Sequence, residues 1–234
     1  MSLGIIPSDF DGGIFSKKKM KQKELKKIWD RLQPGYYDDG NLGQKLWQYF
    51  KLRAIRRVLP QKTERLLDIG CADGYFLKKV ADSLPGTKIY GVDVSEKLIR
   101  AGKLKYPEIN FVVADAHDLP FKNKEFDLVL STESLEHFLS PPKALAEMKR
   151  VIKPGGKIII ELDSGSLLFR FIFSIWVRFL KGKIWRNAHL QSFNIQKLEN
   201  LFAKNGLRVE KRIISHLGMA VTFVLSKDSD AKKK

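Results

Sequence analysis

Three aspartates, Asp68, Asp93 and Asp115, each close a short apolar run. A carboxylate at the end of a buried strand can accept from the hydroxyl or amino groups of a ligand. The first run, Leu66-Leu67-Asp68-Ile69, leads into Gly70-Cys71-Ala72-Asp73-Gly74. Its glycines permit a tight turn and close approach of a ligand to the backbone. A helix starting there would add N–H groups that have no partner within the helix. A bare structural turn would read the same way. Asp93 follows Ile89-Tyr90-Gly91-Val92, at roughly the 20-residue spacing that brings an acid to a ribose diol. It could equally cap the next helix, although Ser95 is placed for that task. Asp115 follows Phe111-Val112-Val113-Ala114 and suits an exocyclic amino group. If the three runs are successive parallel strands, their carboxylates converge on one rim. A nucleophilic role for Cys71 lacks an identifiable activating partner.

The elements that must hold these residues follow from periodicity. Residues 17–33 read as a basic amphipathic helix, with Leu25, Ile28, Trp29 and Leu32 at helical spacing and a stop at Pro34-Gly35. Residues 41–59 read as a second helix, with Leu42, Leu46, Tyr49 or Phe50, Ile55 and Leu59 as its apolar contacts. Strands are expected at 65–69, 88–92, 109–114, 126–130 and 157–162. Helices are expected at 76–84, 96–105, 141–152 and 196–205. This alternation implies βαβ units and a parallel sheet covered on both faces. Strands at 208–214 and 219–226 are joined too tightly for a parallel crossover, so they should pair antiparallel.

On these motifs the chain resembles the class I S-adenosylmethionine-dependent methyltransferases, in the broad branch that includes enzymes of ubiquinone and menaquinone biosynthesis. The likeness covers roughly residues 36–226. It rests on Asp68-Ile69-Gly70-Cys71-Ala72-Asp73-Gly74, Val92-Asp93-Val94-Ser95 with Leu98, Ala114-Asp115-Ala116 with Leu119-Pro120-Phe121, Phe126–Ser131 with Leu135-Glu136-His137, and Lys153-Pro154-Gly155-Gly156. The resemblance implies a doubly wound α/β fold: a seven-stranded, mostly parallel, Rossmann-like sheet with its last strand antiparallel and a helical lid. It implies S-adenosylmethionine as cofactor. Asp68 and Gly70 would border the methionine end, with Cys71, Ala72 and Gly74 in the same turn. Asp93 and Val94 would meet the ribose, and Leu98, Asp115 and Ala116 the adenine. The Ser131 carbonyl would face the methionine end, and Tyr36 or Tyr37 would close over the cofactor. Ala72 stands where many members have glycine, and its methyl is tolerated at negative φ.

Methyl transfer requires alignment and exclusion of water more than covalent help. A general base is needed only for a protonated acceptor. The candidates are His137 and His189, then Glu133 and Tyr36; Glu136 reads as a helix-surface or packing residue. No metal ligand set is evident. The run Ser131-Thr132-Glu133-Ser134 stands where nucleic-acid amino methyltransferases carry an Asn/Asp-Pro-Pro-aromatic motif, which disfavours base N-methylation.

Residues 166–181 would form a helix that is apolar except for a stripe of Ser166, Arg170, Ser174, Arg178 and Lys181. At about 24 Å it is too short to span a bilayer core of about 30 Å. Three placements stand open: on a membrane surface, as a lid over an apolar acceptor, or buried in a core or homodimer contact. The net charge of +17 is concentrated in residues 17–27, 166–186 and the tail 231–234. Lysines near Trp29 suit an anionic surface, so a membrane is expected to meet 17–33 and 166–181; a solvated lysine-rich leader is the alternative. Nucleic acid is the less favoured basic partner, because the insert is too apolar to track phosphates. The 234 residues divide as a basic extension 1–35, a domain 36–226 with an insert 164–190, and a lysine-rich tail 227–234. The single cysteine excludes a disulfide framework and fits a reducing cytoplasm. No signal-peptide-like leader is seen. The expected acceptor is small or lipid-like, and the expected location is cytoplasmic or peripheral to a membrane. An RNA or protein methyltransferase, or a non-catalytic scaffold, is the alternative.

Overall fold

Arg65–Ile69 (β1) alternates its side chains between two helical layers, so the short Leu66-Leu67 pair serves both cores. A computed structural model describes residues 21–36, 38, 40–179 and 189–228, with the backbone alone for 176–179. Tyr37, residues 17–20, Lys181, Lys183, Arg186 and the tail 231–234 lie outside the described residues.

Two helices precede the sheet, α1 (Gln22–Trp29) and α2 (Leu42–Arg56). The sheet's elements follow as β1, α3 (Tyr75–Ala81), β2 (Lys88–Asp93), α4 (Glu96–Lys105), β3 (Asn110–Val113) and β4 (Phe126–Thr132). Then come α5 (Pro141–Val151), β5 (Ile152–Asp163), α6 (Leu167–Phe179), α7 (Ile195–Lys204), β6 (Leu207–Ser215) and β7 (Ala220–Lys227). The seven strands form one sheet in the order β3-β2-β1-β4-β5-β7-β6. The pairs among β1 to β5 are parallel, and β7 runs antiparallel to both β5 and β6. The seven-stranded, mostly parallel expectation therefore holds. The order reverses between β1 and β4, which opens a crevice at the carboxyl ends of those strands.

One core layer takes Leu67, Ile69, Val129, Ile158 and Ile160. The other takes Leu66, Leu128, Leu130 and Ile159 with Ile55 and Leu77. Full burial of each Leu or Ile stabilises by roughly 1.5–3 kcal/mol. A register shift between Phe126 and Leu128 puts Phe126 in the same layer as Val129. Asp127 accepts from the Arg65 backbone N–H at 2.9 Å and from Lys153 Nζ at 2.8 Å. That carboxylate ties the starts of β1, β4 and β5. Burial opposes its ionisation, but Lys153 and the backbone donors hold its pKa below the usual value.

Element boundaries move little from expectation, except that β5 begins at Ile152, five residues early. The faces of α2 depart more. Leu42, Leu46, Tyr49 and Phe50 point outward. Gln48, Lys51, Ala54 and Ile55 point inward. The physical reason is the carboxylates beneath α2, which draw Lys51 and the Trp47 indole toward them.

Candidate functional site

The glycine-rich turn is shaped by two glycines and an alanine at positive φ. Gly70 has φ +83°, and a Cβ there would lie 2.3 Å from Ser134 Oγ. Gly74 has φ +82°, and its Cβ would lie 2.4 Å from the Phe111 ring. Between them Ala72 adopts φ +51°. The expectation of a negative φ at Ala72 is therefore corrected: its methyl occupies a left-handed conformation that costs about 1–2 kcal/mol outside glycine. The turn is held by Gly70 and Cys71 N–H groups donating to the Val92 carbonyl at 2.8 and 3.0 Å, and by Ala72 N–H donating to Asp93 Oδ2 at 3.0 Å.

One cavity opens above this turn at the reversal point. Asp68, Gly70, Cys71, Ala72, Asp93, Val94, Leu98, Asp115, Ala116 and His137 all line it. The three strand-end acids thus share one rim. Gly74 does not line the cavity; it begins α3. Ser131 lies just beneath, its hydroxyl donating to the Ile69 carbonyl at 3.1 Å, and the next residues Thr132, Glu133 and Ser134 line the cavity in its place.

Each acid has a distinct electrostatic setting. Asp68 is buried, and its Oδ1 has no hydrogen-bond partner among the described residues. Burial raises its pKa to about 7 against the pull of Lys51. Asp93 accepts from Ser95 N–H at 2.9 Å as well as from Ala72. Burial still leaves its pKa raised. Ser95 also caps α4, accepting from Leu98 N–H at 3.4 Å, so the capping role falls to Ser95 rather than Asp93. At Asp115, burial raises the pKa, but the His117 hydrogen bonds outweigh it and the net shift is downward. Asp115 Oδ1 lies 2.5 Å from His117 Nδ1, while His117 Nε2 accepts from Ser140 N–H at 3.1 Å. Nδ1 therefore carries the proton and donates to Asp115. Cys71 is buried, and desolvation followed by the charge of Asp68 pushes its thiol well above the usual value. It is not a thiolate nucleophile.

Several lining residues lie outside the motifs. Trp29, Leu25 and Leu32 come from α1 and the turn after it. Ser95 Oγ donates to Asp30 at 2.7 Å, and Gly35 N–H donates to Asp73 Oδ2 at 2.7 Å. These bonds clasp the N-terminal segment over the cavity, so the apolar face of α1 looks inward rather than toward a membrane. Asp73 was present in the turn motif, but only a long-range contact reveals its task.

On the other wall, Glu133 accepts from Trp47 Nε1 and Lys51 Nζ, both at 2.5 Å. Burial raises the Glu133 pKa, but the Lys51 charge outweighs it and holds the carboxylate ionised. Behind it, both oxygens of the fully buried Glu161 lack partners among the described residues, and its pKa rises to about 8 through burial and the Glu133 charge. Glu136, read from sequence as surface or packing, is buried, with Oε1 3.8 Å from His137 Nε2. His137 lines the cavity, its ring 5.0 Å from Trp29. His189 does not line it, but packs 5.4 Å from His137 and 5.5 Å from Phe173 of α6. Burial, and then the neighbouring His137, pushes the His189 pKa well down, so its ring is neutral. Tyr36 is described, but it does not line the cavity.

Comparison with known proteins finds likenesses to methyltransferases. A family described as "Methyltransferase domain" matches residues 67–160. Demethylmenaquinone methyltransferase of Renibacterium salmoninarum is 34% identical over 141 residues, 58% of this chain and 57% of that protein. An uncharacterised protein of Methanocaldococcus jannaschii is 34% identical over 158 residues, 66% of this chain and 71% of that one. The matches span about half the length of demethylmenaquinone methyltransferases such as those of R. salmoninarum and Clavibacter sepedonicus. Among solved structures, an S-adenosylmethionine-dependent methyltransferase of Thermotoga maritima superposes with a TM-score of 0.68 at 21% identity, covering 88% of this chain and all of that one. One from Aquifex aeolicus gives 0.61 at 15%, covering 88% and 98%. These likenesses speak for the fold.

Proposed function

We propose that this chain, which belongs to the class I S-adenosylmethionine-dependent methyltransferases, transfers a methyl group from that cofactor to a small or lipid-like acceptor. The single observation that carries the reading is the rim of Asp68, Asp93 and Asp115 around one cavity that continues to Glu133 and His137. The residues fit the cofactor. The buried, unpartnered Asp68 Oδ1 suits an ammonium group. Asp93 keeps lone pairs for a diol beyond its two backbone bonds, and Asp115 Oδ2 suits an amino group. Leu98 and Ala116 supply apolar walls for a ring. When bound, the cofactor supplies an electrophilic methyl group on a sulfonium.

The chain's own residues then position and protect. Asp68 and the glycine-rich turn fix the cofactor's amino-acid end, and α1 excludes water from above. That methyl would pass to an acceptor carbon, oxygen or nitrogen held beside His137, the cofactor leaving as a neutral thioether. His137 takes the proton that the acceptor loses. It is favoured over His189 because it lines the cavity, and over Glu133 because that carboxylate is a weak base beside Lys51. His189 serves as the positioning residue behind it. In this reading residues 36–226 form the catalytic domain, 164–190 its insert, and residues 21–35 complete the site.

The acceptor is inferred to be lipid-like because relatives are named for demethylmenaquinone and 2-phytyl-1,4-naphthoquinone, and because the rings of Trp29 and Phe173 flank the histidines. Approach from a membrane surface belongs to the same reading. The test is purified protein with the cofactor and a reduced prenylated naphthoquinone lacking its ring methyl. Methylated product that falls by on the order of a hundredfold or more in His137→Gln supports the reading. No product, with the cofactor bound normally, removes the quinone-like acceptor.

A further inference from the structure

We infer that the outward faces of α2 and α6, with the Leu217 tip between β6 and β7, form one docking surface for an anionic phospholipid bilayer. The inference rests on the lipid-like acceptor of the previous section and names how such an acceptor arrives. At 100° per residue, Leu167, Leu168, Phe171, Ile172 and Ile175 fall on one arc of α6. All are exposed, whereas Phe169 and Phe173 on the opposite arc are buried. The α2 helix does the same: Leu42, Leu46, Tyr49 and Phe50 share an outward arc. Soluble helices normally turn such arcs inward. Here two neighbouring helices turn them out.

The third element is the tip. His216, Leu217 and Gly218 have successive φ values of +52°, +55° and +88°. A leucine is thus held in a left-handed conformation with 91% of its surface exposed. A strained residue persists only where its surroundings over-determine it, and here His216 is anchored, its ring 4.1 Å from Trp47 and its Nε2 2.8 Å from the Trp47 carbonyl. Trp47 also meets Phe169 of α6 at 6.3 Å. The three elements therefore meet at one aromatic centre, from which their apolar faces turn outward.

Charge complementarity selects the occupant. Neither α2 nor the described part of α6 carries an acid, and Lys45 and Arg53 stand exposed on the α2 arc while Arg170 borders that of α6. Apolar residues flanked only by cations suit anionic headgroups above acyl chains. No helix among the described residues is long and apolar enough to cross a membrane, so the protein would lie on the surface. The same aromatic centre leads inward, from Phe169 to Phe173, His189 and His137 at ring separations of 5.2, 5.5 and 5.4 Å. The proposed base and the docking surface are thus joined by one packed aromatic wall.

The test is co-sedimentation with vesicles of phosphatidylglycerol and phosphatidylcholine, using the full chain. Wild type should pellet with anionic vesicles, less with pure phosphatidylcholine, and less as salt rises from about 0.05 to 0.5 M. The triple variant Phe171→Ser, Ile172→Ser and Leu217→Ser should lose on the order of tenfold or more in partitioning while binding the cofactor as before. Leu104→Ser, an exposed leucine on α4, should change nothing. Equal pelleting of wild type and triple variant overturns the assignment. So does a wild type that ignores vesicles but dimerises through the same residues, which would make a second copy the occupant. Methylation of detergent-dispersed lipid separates the two proposals. If it persists without vesicle binding, only the docking surface falls; if vesicles bind and no lipid is methylated, only the acceptor reading falls.

Discussion

If Asp68 holds the cofactor's ammonium group as proposed, cofactor binding depends on pH. Its carboxyl titrates near 7 because burial disfavours the charge, and an ammonium group binds the ionised form. Affinity for S-adenosylmethionine should therefore weaken as pH falls below about 7, approaching tenfold per unit, and level off above it. Titration calorimetry across pH 5.5–8 (approximate limits) checks this; Asp68→Asn should bind weakly and lose that dependence. Ala72 makes a different prediction. Its left-handed backbone costs about 1–2 kcal/mol, and glycine adds about 0.5–1 kcal/mol of chain freedom to lose. Ala72→Gly should thus stabilise by ~0.5–1 kcal/mol, read from the urea midpoint. The turn's glycines and the three aspartates were legible in the sequence because strand ends and turns leave local signatures. Trp29, Lys51 and Asp73 were not: each acts through a partner far along the chain.

At the level of elements, the ends of β4 and β5 place Glu133 and Glu161 behind the cavity with Lys51 alongside. Glu161 has a folded pKa of about 8 against 4.5 for an ordinary glutamate. An acid with a raised folded pKa stays protonated in the fold while the unfolded chain ionises. Its stabilising contribution is full below about pH 4.5 and is lost as pH climbs toward 8. Stability should fall across that window by on the order of a few kcal/mol, and Glu161→Gln should flatten the fall, as urea denaturation at several pH values would show. Element boundaries were legible because capping residues and apolar runs are local; Asn41 and Asn194 cap α2 and α7 as their positions suggest. Helix orientation was less so. Periodicity reveals that α2 has an apolar arc, but the inward draw of Lys51 and Trp47 toward Glu133 decides which arc is buried.

For the whole molecule, fold and activity stand on one arrangement: strand order reverses between β1 and β4, a clasped N-terminal helix roofs the crevice, and α2 and α6 meet beside it through Trp47 and Phe169. The central claim is that this arrangement delivers a methyl group to a lipid-like acceptor. The most direct measurement follows a labelled methyl group from S-adenosylmethionine into a cell extract separated into lipid, RNA, protein and aqueous small-molecule fractions. The prediction is label in the lipid fraction, reduced by Asp93→Ala, whose lost hydrogen bonds should cost about 1–3 kcal/mol of cofactor binding. Label in RNA or protein, with the lipid fraction blank, would contradict it and make the basic segments the acceptor site.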